Sequence, residues 1–179
     1  NCCQREIELT MKIVPRGPIA LVLMGVTGSG KTTIGELLSA ELGWPFLDGD
    51  DYHPESNVQK MASGVPLNDD DRQPWLENLS RLIGEYLDRA ENCILACSAL
   101  KEKYRNSIIG GRGQVVFAHL YADEQVIADR LALRKHRYMP HSLLRSQFDT
   151  LEMPCDAIAV DITTTPEEAV RQLCGVIKS

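Results

Sequence analysis

An α/β fold, three layers deep, with a parallel five-stranded sheet flanked by helices, is what this chain predicts, and three observations carry the prediction. Short apolar runs of strand length alternate with amphipathic segments of helix length along the 179 residues. That alternation predicts parallel strands joined by helices that cover both faces of one sheet. The first apolar run leads directly into Gly25-Val26-Thr27-Gly28-Ser29-Gly30-Lys31-Thr32, which fits G-x-x-x-x-G-K-[ST] at every fixed position.

The first run, Ile19 to Met24, is continuously apolar and reads as a buried parallel strand. Helix is expected over 31–42, directly after the glycine-rich octapeptide. Further strands are expected at 45–48, 92–97, 114–120 and 156–162. Helices are expected near 54–62, 72–90, 101–109, 123–135, 140–151 and 166–177. The 72–90 helix has the clearest period, since Trp75, Leu76, Leu79, Leu82, Ile83, Tyr86 and Leu87 recur at three and four residues. Acids at 69–71 and Pro74 suit its first turn. Ligands of such sheets bind at the carboxyl ends of the strands, so the functional residues belong there.

The length suits one sizeable core, so 19–179 is expected to form a single domain, with 1–18 as an N-terminal extension and Met11 as a natural start. Apolar content of 44% and charged content of 25% are ordinary for a globular domain. A net charge of −6 argues against nucleic-acid binding through overall charge. No apolar stretch reaches bilayer length, and no signal-peptide pattern is present, so a cytoplasmic location is expected. The six cysteines include no C-x-x-C pair, which excludes the common zinc and redox spacings. Cys93 and Cys97 lie in an apolar run and point to one face of a strand, as small buried hydrophobes.

The chemistry begins with the octapeptide. Its glycines let the backbone curl so that several N–H groups point at a phosphate, and the helix N-terminus adds partial positive charge. Gly25, Val26, Thr27, Gly28, Ser29, Gly30, Lys31, Thr32 and Thr33 are therefore the candidate nucleotide-binding residues. Lys31 reaches terminal phosphates, and Thr32 offers a hydroxyl to Mg²⁺. A second segment, Asp48-Gly49-Asp50-Asp51, ends the second strand with three carboxylates in four positions. One carboxylate there can support Mg²⁺ through its water shell, and another can take the proton of an attacking hydroxyl. Asp48 and Asp50 are expected on one face, with Asp51 turned away to solvent.

Two cationic segments follow. Lys101 and Arg105 are four apart and share a helix face after the third strand, where a solvated face is the plainer reading and an anionic substrate the sharper one. From Arg130 to Arg145 the chain carries five cations and no acid. Such a block repels itself unless it meets anions, and a lid near 130–145 that closes over a triphosphate accounts for it. Arg130 and Arg134 share a helix face and are the candidate phosphate clamps. An exposed basic helix is the bland alternative, and it is the expectation for His136, Arg137 and His141.

A GTPase would carry D-x-x-G and N-K-x-D, and neither occurs. What remains is a small kinase. The chain resembles the gluconokinases, small phosphate-loop kinases related to shikimate kinase and adenylate kinase. The matching stretches are the phosphate loop, Leu47-Asp48-Gly49-Asp50-Asp51-Tyr52-His53-Pro54, and Asn57 with Lys60 to Gly64. Pro66-Leu67-Asn68-Asp69-Asp70-Asp71-Arg72 with Pro74-Trp75-Leu76 follows, then Cys97 to Lys101 with Tyr104-Arg105. Arg134-Lys135, Met139-Pro140 and Ser146-Gln147-Phe148 with Leu151-Glu152 complete the match.

The resemblance implies the nucleoside-triphosphate-hydrolase, adenylate-kinase-like version of the fold, with a lid. It implies transfer of phosphate from ATP, with Mg²⁺, to D-gluconate, giving 6-phospho-D-gluconate. Under it Asp50 orients or deprotonates the sugar hydroxyl, and Asp48 is taken with Thr32 for the metal side. His53 and Arg72 face the substrate, Arg72 meeting its carboxylate, with Ser98, Lys101, Arg105 and Gln147 as further substrate-side candidates. A homodimer is also in keeping with the family. Where the family lid often reads Arg-Lys-Gly-His-Phe, this chain has Arg134-Lys135-His136-Arg137-Tyr138. Two other readings stand beside this one. A kinase for shikimate or another hydroxy acid would use the same aspartates and cations. A nucleotide-binding regulatory protein would bind ATP without acid-dependent turnover.

Overall fold

The computed structural model describes residues 14–133 and 141–178. Arg134, Lys135, His136, Arg137 and Tyr138, most of the expected extension, and the middle of the expected lid lie outside the described residues. Among the described residues, five strands form one parallel sheet in the order β2-β3-β1-β4-β5. They are β1 (Ala20–Met24), β2 (Phe46–Asp48), β3 (Cys93–Ala96), β4 (Val115–Tyr121) and β5 (Ile158–Asp161). The helices are α1 (Lys31–Leu42), α2 (Glu55–Ala62), α3 (Asp69–Asp88), α4 (Glu102–Ile109), α5 (Glu124–Ala132), α6 (His141–Thr150) and α7 (Pro166–Ile177).

Side chains alternate across the sheet and build a core on each face. Leu21, Leu23, Ile94, Ala118, Leu120, Ile158 and Val160 pack with Ile34 and Leu38 of α1, Ile127 of α5 and Leu173 of α7. Ala20, Val22, Met24, Cys93, Leu95, Cys97 and Phe117 pack with Trp75, Leu76, Leu79 and Ile83 of α3 and Ile108 of α4. Cys93 and Cys97 thus share a face, and burial pushes both thiols up to about 12.

The long helix departs from its expected start. α3 begins at Asp69, because Asn68 caps it in a reciprocal box with Asp71. Pro74 therefore lies inside the helix rather than in its first turn. The acids at 69–71 do occupy the first turn, where the helix dipole favours them.

Candidate active site

Three of the strands deliver their carboxyl ends to one cleft. The loop after β1, the turn after β2 and the segment after β3 line about 420 Å³ together, through Thr27, Gly28, Gly30, Lys31, Thr32, Thr33, Asp48, Asp50, Asp51, Ala96, Cys97 and Ser98.

The glycine-rich loop is held by close approach. Gly25 has φ +143, and a Cβ there would stand 2.6 Å from the Leu120 carbonyl oxygen. Its N–H donates to Ser98 O at 3.2 Å, tying the loop to the end of β3. Lys31 Nζ spans the loop, donating to Gly25 O at 2.9 Å and Val26 O at 3.0 Å. Ser29 is 1% exposed, and its hydroxyl lacks a hydrogen-bond partner among the described residues. Gln147 of α6 braces the loop from outside. Its Oε1 accepts from Thr27 N–H at 2.7 Å, and its Nε2 donates to Thr27 Oγ1 at 3.0 Å.

The acidic turn is a short 3₁₀ segment, Gly49–Tyr52, capped by Asp48, whose Oδ1 accepts from Asp50 N–H at 3.1 Å. The other oxygen, Oδ2, accepts from Thr32 Oγ1 at 3.4 Å, which joins the acidic turn to the phosphate loop. Gly49 lies flush against β3, where a Cβ would meet the Ala96 carbonyl oxygen at 2.6 Å. Its own carbonyl accepts from Trp75 Nε1 at 2.8 Å. Because the chain turns here instead of continuing as a strand, Asp51 lines the same cleft as Asp48 and Asp50. Asp51 is solvent-exposed, as expected, but it shares the cleft with the other two acids.

His53 stacks on Trp75 with ring centroids 4.1 Å apart and 18° between planes. Its Nε2 stands 4.0 Å from Asp50 Oδ1. Burial holds its pKa below the usual histidine value, against the raising influence of Asp50. Arg72 donates to Leu67 O and lies over the Tyr104 ring at 5.7 Å. Asp69 gathers Lys101, Lys103 and Tyr104, whose donors hold its carboxyl well below the usual carboxylate range.

Several expected roles change position. Lys101 is the N-cap residue of α4, bound to Asp69 at 3.1 Å, rather than a partner of Arg105 on an open helix face. Arg105 is 6% exposed and donates to Ala99 O at 3.1 Å and Leu100 O at 3.2 Å. Those carbonyls belong to the turn where Ala99 takes φ +46, so the buried guanidinium braces a left-handed residue. Gln147, expected on the substrate side, makes both its recorded side-chain bonds to Thr27 of the phosphate loop. Arg145 is matched by Glu124 and Asp149, so part of the basic block meets the protein's own acids.

Beside the loop lies a second hollow of about 330 Å³, walled by Gly28, Gly30, Thr33, Arg130, Ile162 and Pro166 among others. Arg130 projects from α5 and donates to Ile162 O. Asn57, which the resemblance named without a role, is 3% exposed and binds both His53 and the Asp71 carbonyl. Sequence reasoning gave it no partner, because His53 lies before the helix that starts at Glu55 and helical spacing does not pair the two. It also missed the bond from Trp75 to Gly49, because helical spacing explains Trp75 as core.

The shikimate kinase family model matches residues 27–174. A gluconokinase of Gluconobacter oxydans is 44% identical over 151 residues, covering 84% of this chain and 83% of that protein. The thermoresistant gluconokinase of Escherichia coli is 41% identical, covering 88% and 92%. The chain belongs to the gluconokinase family. A solved gluconokinase from Sinorhizobium meliloti superposes with a TM-score of 0.78 at 40% identity, covering 92% of this chain and 94% of that one. Membership makes the chain a phosphate-loop kinase that takes ATP as co-substrate. No helix among the described residues is long and apolar enough to cross a membrane.

Proposed function

We propose that this kinase transfers the terminal phosphoryl group of ATP to the 6-hydroxyl of D-gluconate, giving 6-phospho-D-gluconate and ADP. The observation that carries the reading is the cleft in which Lys31 and Thr32 of the phosphate loop face Asp48 and Asp50 of the acidic turn. The gluconokinase relatives supply the acceptor.

The loop N–H groups from Gly25 to Thr33 cradle the phosphates, and Lys31 reaches the terminal ones. Thr32 and Asp48 would hold Mg²⁺. Two hard oxygens 3.4 Å apart fit an ion that keeps most of its water and takes only one or two carboxylates. Bound there, Mg²⁺ supplies neutralisation of charge on the phosphate oxygens. Asp50 accepts the acceptor's hydroxyl proton. The hydroxyl oxygen forms its bond to the terminal phosphorus, the bond to the bridging oxygen breaks, and ADP leaves with that electron pair. Arg130, with Arg134 in a lid near 130–145, steadies the charge that moves through this step. On the acceptor side stand His53, Arg72, Ser98 and Lys101, with Arg72 and Lys101 as the partners of the carboxylate.

The test is Mg²⁺-ATP-dependent ADP release with gluconate, shikimate, other sugar acids, neutral sugars and nucleoside monophosphates as acceptors. Gluconate-dependent turnover is expected. A shikimate acceptor is the second reading, favoured by the family-model match over 27–174. Turnover with shikimate and none with gluconate would replace the acceptor and keep the phosphate chemistry. ATP binding with no acceptor turned over would favour a regulatory role. A homodimer belongs to the same proposal and is read by light scattering.

A further inference from the structure

His53 is held on three sides by groups whose hydrogen-bonding capacity is fixed. Asn57 of α2 places its Nδ2 at 2.8 Å from the Asp71 carbonyl oxygen. A carbonyl only accepts, so this contact decides which end of the amide carries the hydrogens. The same Nδ2 lies 3.3 Å from His53 Nδ1. An amide NH₂ only donates, so Nδ1 must offer its lone pair and the imidazole proton sits on Nε2. Nε2 faces the other way, 4.0 Å from Asp50 Oδ1. Trp75 fixes the ring plane by stacking, and the Trp75–Gly49 bond ties that plane to the acidic turn.

We propose that Asn57 is a positioning residue that locks His53 as its neutral Nε2–H tautomer, so that His53 donates to a substrate hydroxyl next to the one Asp50 holds. This rests on the acceptor-side reading above and sharpens it to a polyhydroxy acid with neighbouring hydroxyls. An imidazolium would put a second hydrogen at Nδ1, against the Asn57 NH₂. The groups facing the ring are Asp50 from the acidic turn, Asn57 from α2, and Arg72 and Trp75 from α3. Asp50 favours the cation, while burial and Arg72 oppose it. Neutrality matters to the chemistry. A cation at this distance would weaken Asp50 as a proton acceptor, whereas a neutral N–H orients an oxygen without doing so.

The experiment is ¹⁵N NMR of the histidine rings in the full chain, with His53 assigned by its loss in His53→Gln. The expected spectrum at neutral pH is a protonated Nε2 and a bare Nδ1. In Asn57→Leu the ring should show mixed tautomers or titrate, and kcat/KM for the acceptor should fall about tenfold, with KM for ATP unchanged. Glutamine at 53 keeps a donor near the ε position and has no tautomer. His53→Gln should therefore retain more activity than His53→Asn, and adding Asn57→Leu to it should cost less than in wild type. A wild-type ring protonated at Nδ1, or charged at neutral pH, overturns the proposal, and this reading needs a folded variant only to assign the His53 signal. Equal losses from Asn57→Leu in both backgrounds also overturn it. An intact Nε2–H pattern with no acceptor turned over supports the Asn57 lock, and it is then the gluconate reading that fails.

Discussion

Replacing Trp75 by phenylalanine tests whether the acidic turn is braced from α3. The indole is 7% exposed, and its Nε1–H meets the buried Gly49 carbonyl at 2.8 Å. Phenylalanine keeps a ring to stack on His53 but leaves that carbonyl without its donor. A buried acceptor so stranded costs about 1–3 kcal/mol, and the smaller ring gives up about 1 kcal/mol more. The expected total is about 3 kcal/mol, which lowers Tm by about 6–12 °C in a domain of this size. Gly49 lies between Asp48 and Asp50, so loosening it displaces both carboxylates. Misplacement on the ångström scale costs up to about 100-fold in rate, and a fall in kcat of about 10- to 100-fold is expected. Nucleotide affinity measured without Mg²⁺ should stay within about twofold, because Trp75 packs in the core beneath α3 and the lost bond is to Gly49. Thermal melts, calorimetric ATP binding and steady-state ADP release read the three quantities. An unchanged kcat alongside a lowered Tm would show that the brace serves stability alone. An unchanged Tm would refute the hydrogen bond's worth altogether.

Other expectations follow from the same geometry. Arg105→Met removes two charge-assisted bonds to the turn at Ala99 and should cost about 3 kcal/mol in urea unfolding. Its KM for the acceptor should hold, and a selective rise in that KM would return Arg105 to the substrate side. Gln147→Leu frees Thr27 and should raise KM for ATP about three- to tenfold with little change for the acceptor, and the reverse pattern would defeat the brace. His119 is 4% exposed on β4, and burial, then Arg105, lowers its pKa. Below about pH 6.5 the unfolded chain therefore binds the proton first, so stability falls as pH drops, by up to about 1.4 kcal/mol per pH unit. His119→Gln should flatten that acid limb in pH-dependent unfolding, and an unaltered limb would remove His119 as its source.

The nucleotide half of the site was legible because its chemistry is local. One octapeptide between a strand and a helix holds the loop, its lysine and its hydroxyl, and spacing alone reads them. Strand positions were legible for a similar reason, since buried parallel strands are short continuous apolar runs. For the acceptor half the sequence named candidate residues and foresaw their placement only in part. Asp48 and Asp50 were expected to share a strand face, yet a 3₁₀ turn carries all three acids into the cleft. The fate of Arg105 was illegible, because its partners are carbonyls of a left-handed turn, and no residue type announces a turn made by alanine. Gln147 was out of reach for another reason: its partner, Thr27, is 120 residues away along the chain.

The two halves differ in how they are held, and that difference bears on specificity. The phosphate loop is fixed by backbone contacts, a glycine pressed on Leu120 and an N–H bound to Ser98, and by two side chains, Lys31 and Gln147. The acceptor side is fixed by side chains: Asn57 on His53, Trp75 on Gly49, Lys60 on Asp71, and Asp69 on Lys101, Lys103 and Tyr104. Every one of these involves the segment from α2 to the start of α3. A change of acceptor then requires exchange of a connected polar network, because a partly matched network leaves groups such as the buried Asn57 amide and Gly49 carbonyl without partners. Single substitutions within it should lower activity on gluconate without conferring activity on shikimate. Exchange of the 53–76 segment together with Lys101, Lys103 and Tyr104 is the change expected to move specificity from one acid to another.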